Sequence, residues 1–375
     1  MQILHVLGKS YGGIRQHVAE LDKELQKRGI ESVLAGPAEV MIGLAEQEFV
    51  IPTPTPKKPL SILRSVKILR KASRNSDILH AHGVTAGYLL WFSQIGLPKS
   101  AGIKPIVLTT HNIAHRKVLG WTYYIVKPFQ TFILKRATRI ICPSQFAFDR
   151  LGLNKKMKEK TSIILPVSPI FDEEQKSKAL SETESIRKDY SISLDDILLV
   201  CLARISPDKD LETLVDAVAI ATKKVGSLKL LIAGRGSKRE TEKLESCIAK
   251  KGIEKQVKLV GFVTSPEKLL GACDLAVLSS TCETVPLVLL ESLQLGIPML
   301  MTDVGVGPQV LDENCGQCVS VGDSKAFAEM IEPWSQRVAS NTIDRSAIES
   351  RILDLVDREK CVQPLVDIYS QLSQN

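Results

Sequence analysis

The chain has 375 residues, 44% hydrophobic and 24% charged, with a formal net charge of +7. That length points to two domains with sizeable cores of their own. Its 23 glycines and 18 prolines are too few for a collagen or a low-complexity chain. No run approaches the roughly 18 apolar residues of a membrane span, and the start MQILHVLGKS lacks the basic n-region of a signal peptide. A cytoplasmic protein is expected.

Residues 3–7 form a short apolar run, followed by Gly8, Gly12 and Gly13 and then a helical pattern over 14–28. Apolar runs recur at 78–80, 106–108, 140–142 and 163–165 with longer amphipathic stretches between them. This is the rhythm of βα units around a parallel sheet. The Pro-rich 51–59 segment is a loop. Residues 169–195 turn polar and acidic and read as an interdomain connection with one surface helix.

The rhythm restarts at 197–203 and continues through 228–233, 257–260, 275–278, 298–301 and 318–321. The final stretch, 343–373, is amphipathic with Pro364 inside it, so a kinked or broken helix is expected there. Two tandem open α/β domains follow from this pattern: 1–168 and 196–344, with 169–195 between them. Sheets of this kind bind ligands at the carboxyl ends of their strands, so residues just after strands are the candidates.

Gly12 and Gly13 open the first helix. They suit either backbone contact with a phosphate or a tight turn with no ligand. Arg204 and Lys209 follow the run ILLVCLA. Arg204 at the strand end and Lys209 one helical turn in are placed to converge on a diphosphate. Asp208 and Asp210 in the same segment resemble a metal pair, although acids in a first helical turn are the ordinary explanation.

Glu283 and Glu291 lie in ETVPLVLLESLQ, with Pro286 placed to open a helix that is otherwise apolar. A carboxylate inside a buried helix needs hydrogen-bond donors or a cation. A pair of ribose hydroxyls would serve, and so would a core arginine. His111 follows PIVLTT at another strand end, where a neutral imidazole can meet a substrate oxygen or play a structural part. His80 and His82 flank Ala81 and are expected on opposite faces of the extended chain. Of eight cysteines, Cys142, Cys201 and Cys273 sit in apolar runs and only Cys315 and Cys318 form a CxxC. With no second pair and no histidine after His115, that is a poor zinc site, and reduced, packed thiols are expected.

Together the segments GGIRQHVAELDKELQKRGI, VLTTHN, LLVCLARISPDKDLETLVDAVA, LKLLIAGRG, VKLVGFV and ETVPLVLLESLQLGIPMLMTDVG resemble the GT4-type family of retaining glycosyltransferases. The resemblance implies the GT-B fold: two Rossmann-like doubly wound domains facing across a cleft, with 345–375 crossing back to the first. It implies a nucleoside-diphosphate sugar, UDP- or GDP-linked, as donor, and no metal.

By the same resemblance Gly12 and Gly13 approach the donor phosphates, Arg204 and Lys209 neutralise the diphosphate, and Glu291 holds the ribose. Glu283 contacts the donor sugar, with the amides of Thr284, Val285 and Leu287 near sugar or phosphate. His111 lies by the sugar and the acceptor, and Arg235, Gly236 and Phe262 line the base pocket. His111, Glu283, Arg204 and Lys209 are the expected catalytic set. The chain departs from the family pattern at Thr284 and Val285, which replace a glycine and an aromatic residue. It departs again at Val306 and Gln309, which replace a glycine and a glutamate after Gly305. Bulk at Val306 is expected near the pocket rim.

Catalysis would then rest on fixed cations and N–H dipoles that meet the charge of the departing diphosphate. The resemblance suggests a front-face substitution, since hydrolase-style retention needs two carboxylates about 5 Å apart and Glu291 is assigned to the ribose.

Charge is divided unevenly along the chain. Through residue 170 there are 25 Lys and Arg against 10 Asp and Glu, and within 52–160 the count is 20 against 3. A basic lobe expects an anionic partner. In 60–74, Leu60, Leu63, Val66 and Leu69 alternate with Arg64, Lys67, Arg70, Lys71 and Arg74. In 118–139, Trp121, Tyr123, Tyr124, Phe129 and Phe132 alternate with Lys127, Lys135 and Arg136. These suit an anionic membrane surface or a polyprenyl-diphosphate-linked acceptor. They equally suit apolar stripes packed on the domain's own sheet beneath a solvated basic face. Nucleic acid is not expected, because no binding motif or aromatic groove accompanies the charge.

The expected product is a cell-surface polysaccharide (capsule, O-antigen or exopolysaccharide), made by an enzyme peripheral to the inner face of the cell membrane. A soluble acceptor, or a non-catalytic sugar-nucleotide-binding partner, are the alternatives.

Overall fold

The computed structural model describes residues 1–9, 12–42, 44, 48–55, 58–97, 102–111 and 120–374. They form two compact units, Met1–Pro169 with Leu355–Asn375, and Ile170–Asp354. His115, Asn112, Ser10, Tyr11, Pro56, Lys57 and residues 118–119 of the segments named above lie outside the described residues.

In the first unit the strands are β1 (Gln2–Leu7), β2 (Glu31–Pro37), β3 (Glu48–Ile51), β4 (Ile78–His82), β5 (Ile106–Thr109), β6 (Arg139–Cys142) and β7 (Thr161–Ile163). They pair in parallel in the order β3-β2-β1-β4-β5-β6-β7. One face is covered by the helices Pro59–Ala72, Val84–Gln94 and Tyr123–Arg136, which share a core with β1, β4 and β5 through Leu69, Leu89, Leu90 and Ile133. The other face is covered by the helix Gly13–Lys27 and the helix Arg358–Ser373, through Leu21, Leu25, Val362, Leu365 and Tyr369. Buried on both sides, β1 and β4 are apolar except for Gln2, His5, His80 and His82.

The helix Arg358–Ser373 is pinned at both ends. Arg358 reaches Glu20 at 2.7 Å and Glu359 meets Arg28 at 2.8 Å, while the fully buried Tyr369 hydroxyl meets His80 Nδ1. The break expected at Pro364 falls instead at Asp357, whose carboxylate caps the new helix by accepting from Lys360 N at 3.0 Å. Pro364 lies inside that helix. The preceding helix, Arg345–Val356, lies almost entirely in the second unit, so the return to the first unit begins at Leu355 and not at 345.

Residues 170–195, expected as a connection, are part of the second unit. They form two helices, Glu173–Ser181 and Thr183–Asp189. Arg187 locks them down, pairing with Asp274 at 2.6 Å and donating to the carbonyls of Ala272, Ser193 and Asp196.

The second unit's strands are β8 (Ile197–Leu202), β9 (Leu228–Ala233), β10 (Val257–Gly261), β11 (Leu275–Leu278), β12 (Met299–Thr302) and β13 (Gly316–Val319). They are parallel in the order β10-β9-β8-β11-β12-β13. Each unit therefore has a switch point where the strand order reverses, between β1 and β4 in one and between β8 and β11 in the other. In open α/β sheets ligands bind outside the carboxyl ends of the strands at that point. Among the described residues no helix is long and apolar enough to cross a membrane.

Candidate functional site

At the second unit's switch point, the loop after β8 is held from two sides. Toward β9, Ala203 N donates to Ala233 O and Ile205 N to Arg235 O, both at 3.0 Å. Gly234 makes this possible, because a Cβ there would lie 1.9 Å from Ala203 O. Toward β11, Thr281 N donates to Asp208 O at 2.8 Å, and Ser279 Oγ donates to the carbonyls of Lys209 and Asp210 at 2.9 and 3.0 Å. The result is a single 3-10 turn, Pro207–Lys209, before the helix Leu211–Ala221. Lys209 thus sits ahead of that helix and not one turn inside it.

The Lys209 ammonium pairs with Glu283 Oε1, and both side chains are only 15% exposed. Ser280 Oγ donates to the same carboxylate oxygen at 2.9 Å. Arg204 is different: its side chain is 60% exposed and its one ion pair among the described residues is with Asp208 at 3.3 Å. Asp208 thereby answers to Arg204, and Asp210 accepts from Thr213 Oγ1 at 2.8 Å, so each carboxylate is used within its own turn.

After Glu283 the chain passes Thr284 and Val285 to Pro286, the N-cap of the helix Leu287–Gln294. All eight residues of that helix are buried, and Glu291, 7% exposed, lies on its second turn. Leu287 contributes a first-turn amide of the kind that faces anions. Gly305 packs against this loop so closely that a Cβ would lie 2.6 Å from Thr284 O. Val306 is 3% exposed, so its side chain is packed inward instead of standing at a rim. Beside the β8 loop, the Arg235 guanidinium lies 4.8 Å over the exposed Phe262 ring, and Gly236 packs against Ile205.

At the first unit's switch point Gly12, with φ 78°, is the N-cap of the helix that begins at Gly13. The space where a Gly12 Cβ would stand is open. Here five histidines gather. His80 and His82 are on the same face of β4, their ring centroids 4.3 Å apart and both rings buried. Their expected placement on opposite faces is wrong, because a strand has a side-chain period of two. His82 Nε2 lies 3.1 Å from His5 Nδ1, and His82 Nδ1 lies 3.1 Å from His111 Nε2. His17 Nδ1 lies 3.2 Å from Val167 O. His80 spends both nitrogens, on Tyr369 Oη and on Thr109 Oγ1.

Burial holds these rings neutral. It lowers His5 to about 3 and His17 to about 4, and takes His80, His82 and His111 well below the usual imidazole value. Neighbouring histidines add to the effect at His5, His80, His82 and His111. The CxxC cysteines are free thiols, and burial raises both, Cys318 to about 12.

The basic stretches divide by role. Trp121, 74% exposed, stands out with Tyr124, Ile125 and Phe129, and Leu60 and Leu63 are exposed in the same helical layer. Lys127, half-buried, donates to Leu151 O at 2.6 Å, and Arg70, though exposed, donates to Ser93 O at 2.9 Å, so both side chains are tied to the unit's own backbone. Arg136 lies over the Phe132 and Trp91 rings.

Sequence reasoning missed the hydroxyls of Ser279, Ser280 and Thr281. Their SST run directly after an apolar strand was the available signal. It also missed Gly234, which precedes Arg235 and Gly236.

Residues 11–166 match the family model described as Glycosyltransferase Family 4, and residues 182–341 the one described as Glycosyl transferases group 1. EpsD of Bacillus subtilis (strain 168), provisionally named a glycosyltransferase, is 24% identical over 93% of this chain and 91% of its own. An Escherichia coli UDP-Gal:alpha-D-GlcNAc-diphosphoundecaprenol alpha-1,3-galactosyltransferase is 22% identical over 84% of this chain and 80% of its own. The crystal structure of Anabaena Alr3699/HepE in complex with UDP and glucose superposes with a TM-score of 0.80, at 19% identity, covering 99% of this chain and 100% of that one. The architecture shared with such structures is GT-B.

Proposed function

We propose, from the premise that the chain belongs to the GT4-type family of glycosyltransferases, a retaining transfer from a nucleoside-diphosphate sugar. The donor is UDP- or GDP-linked, and the acceptor is a glycan or a polyprenyl-diphosphate-linked sugar of a cell-surface polysaccharide. The observation that carries this reading is the Lys209–Glu283 pair at the β8/β11 switch point, beside the start of the buried helix Leu287–Gln294.

In this reading Lys209 and Arg204 neutralise the diphosphate, helped by the amides of Thr284, Val285 and Leu287. Glu283, oriented by Lys209 and Ser280, accepts from the donor sugar's hydroxyls. Glu291 accepts from the ribose. The Arg235–Phe262 stack, with Gly236, offers a platform for the base. His111, neutral, donates to the sugar or acceptor, and Gly12 and Gly13 give amides to the phosphates. Side-chain cations meet the leaving charge, so the transfer needs no metal. The anomeric C–O bond to phosphate breaks, the bond to the acceptor oxygen forms on the same face, and the acceptor's proton goes to the leaving phosphate.

Glu291→Gln keeps the shape of the side chain and removes its charge. It is expected to weaken nucleoside-diphosphate binding about tenfold or more and transfer about a hundredfold. Calorimetry on a nucleotide panel and a donor panel with lipid-linked acceptors would check it, and near-parental values would remove Glu291 from the site.

The apolar residues at Trp121, Tyr124, Ile125 and Phe129, in a unit rich in Lys and Arg, support peripheral binding to anionic bilayers at the inner face of the cell membrane. Trp121→Ser with Phe129→Ser is expected to cut co-sedimentation with phosphatidylglycerol vesicles at least fivefold, with little change in melting temperature. Equal co-sedimentation of parent and variant, or none by the parent, would refute a membrane role for this patch.

A further inference from the structure

Three histidines of the first unit converge in a way that hydrogen bonding alone does not require. His17, His82 and His111 each present one ring nitrogen, all within 4.8 Å of one another, and His82 Nδ1 to His111 Nε2 is 3.1 Å. Tetrahedral zinc, with Zn–N bonds of about 2.0–2.1 Å, sets its ligand nitrogens roughly 3.4 Å apart. Closing these three rings on one ion therefore needs movements on the order of an ångström.

The other nitrogens of His17 and His82 are anchored as those of metal-bound histidines usually are. A carbonyl only accepts, so the His17 Nδ1 contact with Val167 O fixes the proton on Nδ1 and leaves the Nε2 lone pair for a ligand. The His82 Nε2 contact with His5 Nδ1 does the same for His82 when His5 accepts, freeing the Nδ1 lone pair. A second trio, His5, His80 and His82, is also close. It is the weaker candidate, because both nitrogens of His80 are already spent on Tyr369 and Thr109. The outer trio includes His111, which is only half-buried and gives an ion a way in.

We propose that His17, His82 and His111 form a binding site for a divalent first-row transition ion of the zinc type, with a fourth position open to water. Its ligands are not among the side chains assigned to the diphosphate. Its consequence for transfer rests on the reading of His111 given above: an occupied site withdraws His111 from the sugar, so the ion inhibits.

The test is titration of the metal-free full-length protein with zinc against a chromophoric chelator, and with cobalt, whose tetrahedral complexes absorb strongly in the visible range. The expected result is one ion per chain and a visible cobalt band, with affinity reduced about a hundredfold or more in His17→Ala and in His111→Ala. Because His17 is buried, the half-buried His111→Ala decides the matter if His17→Ala does not fold. Absence of stoichiometric binding would overturn the site and leave the three rings as a hydrogen-bonded chain. Unchanged affinity in His111→Ala would overturn it too, and point to ions held by the free cysteines. Nucleoside-diphosphate binding measured on the same samples separates the two readings. Zinc binding without nucleotide binding would sink the transfer reading alone, and the converse would sink the ion site alone.

Discussion

Lys209→Ala is expected to lower transfer by about a hundredfold, the effect of removing one fixed charge from the path of a departing diphosphate. It should also lower the stability of the second unit. The Glu283 side chain is 15% exposed, and without Lys209 it keeps the Ser280 hydroxyl as its side-chain partner among the described residues. Breaking one side of a fully buried pair costs about 3–5 kcal/mol, and the residual exposure here reduces that to about 1–3 kcal/mol.

The two losses are separable. In the double variant Lys209→Met with Glu283→Gln no unpaired charge is left behind, so stability should recover toward the parent while transfer does not. Urea unfolding and steady-state transfer on the parent, Lys209→Met, Glu283→Gln and the double variant would measure both. If Lys209→Ala turned over within threefold of the parent, the pair would be a structural tie, and the diphosphate would be held elsewhere.

Gly234→Ala is the second large effect. A Cβ at Gly234 would lie 1.9 Å from Ala203 O and 2.7 Å from Ala203 C. Both are backbone atoms, so no rotamer change relieves the overlap, and the β8 and β9 loops must separate. That breaks the Ile205–Arg235 hydrogen bond and moves both the Arg204 turn and the Arg235–Phe262 stack. A cost of about 3 kcal/mol or more is expected, above the usual range for overpacking a deformable core, together with loss of measurable nucleotide binding. Gly252→Ala is the control. Gly252 caps a helix with φ 66° and has nothing within 4 Å of its missing Cβ, so alanine there should cost only about 1–2 kcal/mol. Denaturant midpoints of the two variants settle the comparison, and equal shifts would mean that the loop contact is not rigid.

Strands covered on both faces announced themselves. β8, β9 and β11 coincide with apolar runs to within a residue, because a strand buried on both sides has no polar face to interrupt it. Edges did not. β3 (Glu48–Ile51) is four residues at the sheet margin, and the predicted runs at 163–165 and 318–321 slid two residues past β7 and β13. In an edge strand the apolar centre and the paired segment need not coincide. β2 was not among the predicted runs; it ends in Gly36 and Pro37, poor strand formers that nonetheless pair with β3.

At the site, residue types and strand ends were legible and partnerships were not. Glu283 and Lys209 are 74 positions apart, and nothing local says that one answers the other. Arg204 looked like Lys209's equal in sequence, yet it is exposed and paired within its own turn. The histidine gathering is drawn from two strands, a helix and a loop, so only the folded sheet could assemble it.

The helix Arg358–Ser373 closes a core whose other walls were laid down in the first 170 residues. During synthesis the second unit, continuous in the chain from Ile170 to Asp354, is complete while the first still lacks Val362, Leu365 and Tyr369. The half that leaves the ribosome first is therefore the half that matures last. Its unfinished apolar wall is what a chaperone would meet on a nascent chain.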